Sequence, residues 1–298
     1  MAGRFAPSPS GDLHLGNLRT AILAWLFARS TGRNFLLRIE DLDRVRSGSE
    51  ASQLRDLEAI GLDWDGPVTR QSERMHYYEQ ALQQLIEAGL SYECFCTRRD
   101  IAEAAAAPHG LPGQYPGTCR DLSEAQRARL RQERPAALRL RASTAHHAVF
   151  DELQGEYRGT VDDFVIRRND GAAAYNLAVV VDDHLQGIDQ VVRGDDLLSS
   201  APRQAYLGSL LGYPAPRYAH VPLALNQNRQ RLAKRDGAVT LADSAAAGFS
   251  PEQVRAVLLA SLGLPEGSLA QALTKFEPTQ LLREAWIVPA QPMAQAEL

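Results

Sequence analysis

Strand-like and helix-like stretches take turns through residues 1–90, and that order leaves few folds open. Gly3 to Ala6 reads as a short strand. Leu15 to Arg29 reads as a helix, with Leu15, Leu18, Ile22 and Leu26 on one face and Thr31-Gly32 as its stop. Phe35 to Glu40 is a second strand. Ser47-Gly48-Ser49-Glu50 has capping-box spacing and opens a helix ending near Gly61, and Glu73 to Ala88 gives another, closed by Gly89. Strands joined through helices in this way lie parallel, with right-handed crossovers, so the expected class is α/β with a parallel sheet.

The middle of the chain breaks the rhythm. Ala104 to Ala107 leads into the breaker-rich Pro108-His109-Gly110-Leu111-Pro112-Gly113, and Ser123 to Glu133 resumes a helix crowded with arginines. This reads as an insert over 91–174. Phe164-Val165-Ile166-Arg167, the turn signal Asn169-Asp170-Gly171 and the apolar run Leu177 to Val181 predict a hairpin returning to a buried strand. The nucleotide-binding unit is therefore expected over 1–90 and 175–240. A helical region follows over 241–298, with helices at Glu252 to Leu262 and Ser268 to Lys275 before a Pro- and Ala-rich end that frays.

No apolar run reaches the roughly 18 residues of a membrane span, and Gly3-Arg4-Phe5-Ala6-Pro7 has no secretion-signal pattern. The expectation is a soluble, cytoplasmic chain with no membrane partner. Its formal charge of -4 excludes a wholly basic surface but not a local basic stripe. Lys234 and Lys275 are the only lysines among 32 basic residues, so each lysine stands out. Cys94, Cys96 and Cys119 form an odd number in one short segment, which points to metal binding or catalysis more than to disulfides.

Two motifs carry the chemistry. In Arg4-Phe5-Ala6-Pro7-Ser8-Pro9-Ser10-Gly11, two prolines and a glycine keep the chain out of helix until His14-Leu15-Gly16-Asn17. The helix N-terminus, with its free N–H groups and positive dipole end, then faces the space beyond the strand, which suits a phosphate. Gly16 lets a nucleotide approach the backbone, and His14 can donate to a phosphate as charge builds in the transition state; the plainer alternative is a capping histidine. The second motif is Arg231-Leu232-Ala233-Lys234-Arg235. In a chain that uses arginine almost throughout, Lys234 offers a compact ammonium that fits between phosphate oxygens; the alternative is a solvated charge run.

These paired motifs resemble the HIGH and KMSKS signatures of class I aminoacyl-tRNA synthetases. Arg4 to Gly11, Glu40-Asp41-Leu42-Asp43, Gln71-Ser72-Glu73-Arg74, and Tyr175 through Asp182-Asp183-His184 to Arg193-Gly194 resemble the glutamyl branch in particular. The likeness runs in order from Arg4 to about Arg235. It departs at Asn17, where HIGH has its second histidine, and at Ala233, where the loop loses a serine hydroxyl.

The resemblance implies ATP and Mg²⁺, with His14, Gly16, Asn17, Arg231 and Lys234 at the nucleotide and His14 and Lys234 stabilising the transition state. It also implies L-glutamate as substrate, held by Arg4, Ala6, Ser8, Glu40, Tyr175 and Arg193. Physical chemistry asks for such a set, because glutamate brings two carboxylates and an ammonium into a partly dry cleft and each ion needs a partner. Arg4 and Arg193 supply planar forks, Glu40 takes the ammonium, and Ser8 and Tyr175 complete the hydrogen bonds.

The three cysteines can bring sulfurs about 2.3 Å from one structural zinc. For a fourth ligand general chemistry nominates His109, whereas the resemblance implies Tyr115. The arginines Arg127, Arg129, Arg131, Arg134, Arg139 and Arg141 could follow an RNA backbone or form a solvated face.

Only about sixty residues follow Arg235, too few for a helical anticodon-binding domain. The short architecture therefore resembles the branch that transfers glutamate to the queuosine base of tRNA(Asp). A minimal enzyme charging a tRNA 3′ end, or an inactive paralogue that binds RNA, would share most of these residues.

Overall fold

Residues 1–105, 115–232 and 239–289 are described by a computed structural model. β1 (Ala2–Phe5), α1 (Leu15–Ser30), β2 (Asn34–Ile39), α2 (Ser49–Ala59), β3 (Thr69–Arg70) and α3 (Met75–Glu87) follow the order expected from the sequence. The middle holds β4 (Ser91–Cys94), α4 (Arg98–Ala105), α5 (Glu124–Glu133), β5 (Ala137–Leu140), β6 (His146–Asp151), β7 (Gly155–Thr160) and β8 (Val165–Arg167). Then come α6 (Tyr175–Leu185), β9 (Ile188–Gly194), α7 (Ala201–Leu210), β10 (Arg217–Val221) and β11 (Ala224–Leu225). The last elements are α8 (Leu241–Ala246), α9 (Pro251–Ala260), α10 (Leu269–Leu273) and β12 (Trp286–Ile287).

The main sheet runs β3-β2-β1-β9-β10-β6-β7, and every neighbouring pair is parallel except the hairpin β6-β7. A second, antiparallel sheet runs β4-β5-β8. The segment 91–174 thus contributes to both sheets, and its β6-β7 hairpin extends the edge of the parallel one.

α1 is the central helix. Leu15, Leu18, Ile22 and Leu26 are buried as expected, but so are Leu23, Phe27 and Ala28 on its other faces. A helix apolar all round must be covered all round. Gly3 permits the sheet side of this packing, because a Cβ there would stand 2.9 Å from the Cβ of Ala28. The opposite side is covered by α9 and α10, whose Val254, Leu258 and Ala272 join the same core, and by Phe276, in edge contact with Phe27 at a centroid distance of 5.2 Å.

Two local expectations are corrected. Leu177 to Val181 is not a strand but the middle of α6; the strand expected there is β9, which follows it. Five apolar residues are too few to separate a buried strand from a buried helix by periodicity. Here Leu177, Ala178 and Val181 pack into one core against Leu82 and Leu207. The helix expected to open with a Ser47 capping box opens instead at Gly48, in the left-handed conformation at φ 79 and with no side-chain cap. Ser123, Ser250 and Ser268 do form capping boxes with the glutamines three residues on.

Candidate active site

The parallel strands β2, β1, β9 and β10 lie side by side, and their C-terminal ends carry Glu40, Ala6, Arg193 and the chain beyond Val221 to a common edge, where open α/β sheets bind ligands. The loop leaving β1 is pinned from two sides. Glu40 N–H donates to Pro7 O at 2.9 Å and Arg46 N–H to Pro9 O at 2.8 Å, while Gln53 of α2 donates to Ser8 O at 3.1 Å and to Gly11 O at 2.6 Å. Ser8 and the start of α1 are therefore set by bonds to the loop's carbonyls, two from backbone N–H groups and two from the Gln53 side chain.

His14 caps α1. Its Nδ1 accepts from Asn17 N–H at 3.2 Å, and its own N–H donates to Asn17 Oδ1 at 3.2 Å. Asn17 is thus the reciprocal member of a capping box. With Nδ1 accepting, the neutral ring carries its proton on Nε2, where it can be donated. A Cβ on Gly16 would stand 3.0 Å from His14 Cε1 and 3.2 Å from the Cβ of Ala224, so this glycine keeps room for the imidazole.

The late loop returns to the same place. Leu15 N–H donates to Val239 O at 3.0 Å, and His14 bridges Thr240. On the near side of the loop, Arg231 pairs with Asp196 at 2.7 Å. Lys234, expected between them, lies outside the described residues.

Beneath this edge is a buried charge cluster. Arg4 Nε reaches Asp183 at 3.1 Å, and Arg38 reaches Asp183 at 2.8 Å, Glu40 at 3.3 Å and Asp182 at 3.8 Å. Asp182 also takes Arg74 at 2.6 Å, the Tyr78 hydroxyl at 2.8 Å and Gln71 at 2.9 Å. Three guanidinium groups, of Arg4, Arg38 and Arg74, therefore match the three carboxylates of Glu40, Asp182 and Asp183. Burial pushes the Asp183 carboxyl up, but Arg4 and Arg38 outweigh it and hold it below the usual range. For Glu40 burial wins over Arg38 and Arg4, and its carboxyl is raised.

Arg193 differs from the rest. It is buried, yet it pairs with no carboxylate among the described residues. Its Nε donates to His220 Nε2 at 3.0 Å, Nη1 to Gln204 Oε1 at 2.7 Å and Nη2 to Leu197 O at 3.4 Å. Tyr175, at the start of α6, is 45% exposed, and its hydroxyl is shifted up by burial and by Glu40, with Arg193 and Arg4 acting in the opposite direction. Tyr175, Ser8 and Glu40 line a cavity of about 770 Å³ that continues past Arg139 and Arg168 to Cys94 and Cys96.

At the far end of that cavity, Cys94, Cys96 and Cys119 place their sulfurs within 4.8 Å of one another. The Tyr115 hydroxyl stands 3.3 Å from Cys94 Sγ and 3.6 Å from Cys96 Sγ and accepts from Cys119 N–H at 2.9 Å. Arg139 lies 3.6 Å over the Tyr115 ring. Burial works against ionising Cys94, but Tyr115 and Arg139 hold its thiol below the usual range; burial pushes Cys96 up to about 12. Three sulfurs and one oxygen converging on a point suit a four-coordinate metal, and tetrahedral zinc at about 2.3 Å would place sulfurs close to these separations. His109 lies outside the described residues.

The basic run from Arg127 is largely paired. Arg127 meets Glu124, Arg129 meets Glu133, Arg131 meets Glu93 and Glu124, and Arg141 meets Asp121. Sequence reasoning gave no role to Arg38, Gln204 or His220. The available signal was a polar residue inside an apolar strand: Arg38 in β2 and His220 in β10.

A parallel sheet with a histidine-capped helix and a matched charge set at its C-terminal edge is the architecture of a class I synthetase. Residues 1–288 match the family described as tRNA synthetases class I (E and Q), catalytic domain, and the chain belongs to that family. It is accordingly an enzyme of the ligase type. Among its relatives, the glutamyl-Q tRNA(Asp) synthetase of Nocardia farcinica is 68% identical over 288 residues, covering 96% of this chain and 93% of the relative. That of Cutibacterium acnes is 53% identical over 299 residues, covering 98% and 82%. The glutamate tRNA ligase of Elizabethkingia meningosepticum, crystallised in complex with its amino acid, superposes with a TM-score of 0.85 at 29% identity, covering 99% of this chain and 68% of that one. No helix among the described residues is long and apolar enough to cross a membrane.

Proposed function

We propose that this enzyme, acting in the cytoplasm, activates L-glutamate with ATP and Mg²⁺ and transfers it to the queuosine base of tRNA(Asp). The observation that carries glutamate is the unopposed Arg193. Arg4, Arg38 and Arg74 each meet a carboxylate directly, whereas Arg193, at the end of the neighbouring strand, touches only His220, Gln204 and a backbone carbonyl. Glutamate brings two carboxylates, and a guanidinium with no carboxylate in direct contact favours a ligand that supplies one in a partly dry pocket. Arg4 and Arg193 take the two carboxylates, Glu40 takes the ammonium, Ser8 and Tyr175 add hydroxyls, and Ala6 lies beside them at the end of β1. The queuosine acceptor is supported by the names of the relatives.

In the activation step a carboxylate oxygen attacks the α-phosphorus in line, and the bond to pyrophosphate breaks. The attacking group is already ionised, so no general base is needed. Charge develops on the phosphate oxygens, where His14 Nε2–H and the Lys234 ammonium stabilise it, with Gly16, Asn17 and Arg231 shaping the nucleotide site. Mg²⁺ carried in with ATP would offset phosphate charge. A zinc held by Cys94, Cys96, Cys119 and Tyr115 would supply structure, not reaction chemistry.

The purified protein is expected to support ATP-pyrophosphate exchange with glutamate and not with glutamine or aspartate. A buried guanidinium that loses its carboxylate partner can discriminate by about 10⁴-fold. Absence of exchange with glutamate, with or without tRNA, would remove the reading. For the acceptor, labelled glutamate is offered to tRNA(Asp) with and without queuosine, and transfer that requires queuosine is the expected result. Transfer that needs only an intact 3′ ribose, judged by periodate treatment of unmodified tRNA, would make the enzyme a minimal glutamyl-tRNA synthetase instead.

Gly16→Ala offers a narrower check. Alanine favours helix by about 1 kcal/mol, but the new Cβ crowds His14 from 3.0 Å. The expected variant melts no lower than the parent and exchanges about tenfold more slowly, less than the roughly 10²–10³-fold cost of losing an aligned donor because the ring is displaced and not removed. Unchanged exchange would separate the His14 ring position from the reaction.

A further inference from the structure

We infer that His220, held by Asp151, is a positioning residue that presents Arg193 to the substrate's side-chain carboxylate and thereby sets the preference for glutamate over glutamine. This rests on the glutamate reading above. The three residues come from neighbouring strands: Asp151 ends β6, which lies against β10, and His220 of β10 stands in register with Arg193 of β9.

Asp151 and His220 are fully buried and Arg193 nearly so. The Asp151 carboxylate accepts from the N–H groups of Leu153 and Gln154 at 2.9 Å and of His220 at 3.1 Å, and its Oδ2 lies 2.6 Å from His220 Nδ1. A carboxylate with that many donors stays ionised, so the ring proton on its side is on Nδ1. Nε2 is then a lone pair, and it takes the Arg193 Nε–H at 3.0 Å. Burial disfavours the charged imidazole, in keeping with a neutral ring. Gln204 takes Nη1 and is itself turned by Asn176, to whose Oδ1 it donates at 3.1 Å.

The contrast with Arg4 and Arg38 gives this arrangement its meaning. Both of those touch Asp183 directly and are neutralised by it. Arg193 is oriented by a carboxylate one ring away, through an acceptor that carries no charge. Its geometry is fixed while its charge remains available to a ligand carboxylate. A neutral carboxamide in that place would leave the guanidinium buried without a counter-ion.

The tautomer makes this testable. In Asp151→Asn the amide can donate to Nδ1, which moves the ring proton to Nε2 and sets it against the Arg193 N–H. His220→Gln keeps an acceptor near the Nε2 position, whereas His220→Asn keeps the bond to Asp151 and loses the acceptor. Exchange kinetics are expected to show a KM for glutamate raised about tenfold or more in Asp151→Asn and His220→Asn, with a matching fall in preference over glutamine. The KM for ATP should stay within about twofold of the parent, and His220→Gln should recover most of the preference.

Nitrogen-15 NMR of the histidine ring reads the tautomer directly, with Nδ1–H expected in the parent and Nε2–H in Asp151→Asn. A parent ring protonated at Nε2 alone would overturn the inference, as would folded variants with unchanged KM for glutamate, or equal losses in His220→Gln and His220→Asn. If Asp151→Asn does not fold, the two His220 variants and the parent spectrum decide. A parent protein with no glutamate-dependent exchange defeats the function reading first and this inference with it, whatever the tautomer.

Discussion

Replacing Lys234 with alanine is expected to slow glutamate-dependent ATP-pyrophosphate exchange by about 10²–10³-fold, the usual cost of removing one aligned charge or donor from a developing oxyanion. The effect should fall on kcat more than on the KM for glutamate, because the ammonium acts where negative charge grows during phosphoryl transfer and not where the amino acid binds. The residues on both sides of Lys234 support its place in the reaction. Arg231 is tied to Asp196 beyond the end of β9, and Val239 and Thr240 are tied to Leu15 and His14 at the mouth of α1. Lys234→Arg tests size against charge: a wide guanidinium keeps the charge but not the compact fit, so only partial recovery is expected. Full activity in Lys234→Ala would take the loop out of the mechanism.

The second large effect concerns the metal. Purified protein should carry about one zinc per chain, as a closed structural site does, and Cys94→Ala or Cys119→Ala should reduce it to near zero by elemental analysis. Zinc in small structural sites contributes about 10–16 kcal/mol of apparent binding free energy. Here the consequence should be local, because Cys94 and Cys119 also sit in a small core with Tyr92, Phe95 and Tyr115, apart from the core around α1. Hydrogen exchange in β4 and β5 is therefore expected to speed up while β1 and β9 keep their protection. Tyr115→Phe separates ligand from packing, since it keeps the ring under Arg139 and removes only the hydroxyl. Protein that is free of metal, folded and fully active would remove zinc from the account.

Much of the local structure was legible in the sequence because it is locally determined. The helices at Leu15, Ser123, Ser250 and Ser268 start where a side chain three or fewer residues away satisfies the first free N–H groups, and stops such as Gly32 and Gly89 need only the left-handed backbone that glycine tolerates. The cysteines Cys94, Cys96 and Cys119 were legible for a related reason, because an odd number gathered in one short segment already points to a metal. Leu177 to Val181 reads as a strand yet folds as a helix for a matching reason. Its helix is decided by the cores of α3 and α7 that receive it, which lie far off in the chain.

The sequence by itself determined the alternation of elements, the two motifs proposed to hold a nucleotide and the residue types that an acidic amino acid would need. It could not say which charges are already matched. Arg4 finds Asp183 across 179 residues, Arg38 finds it across 145, and Asp151 finds His220 across 69. The first two depend on where α6 packs and the third on β6 lying beside β10, neither of which a local pattern encodes. Only the assembled fold therefore decided that Arg193, alone among the arginines proposed to hold glutamate, touches no carboxylate and meets an imidazole, an amide and a carbonyl instead.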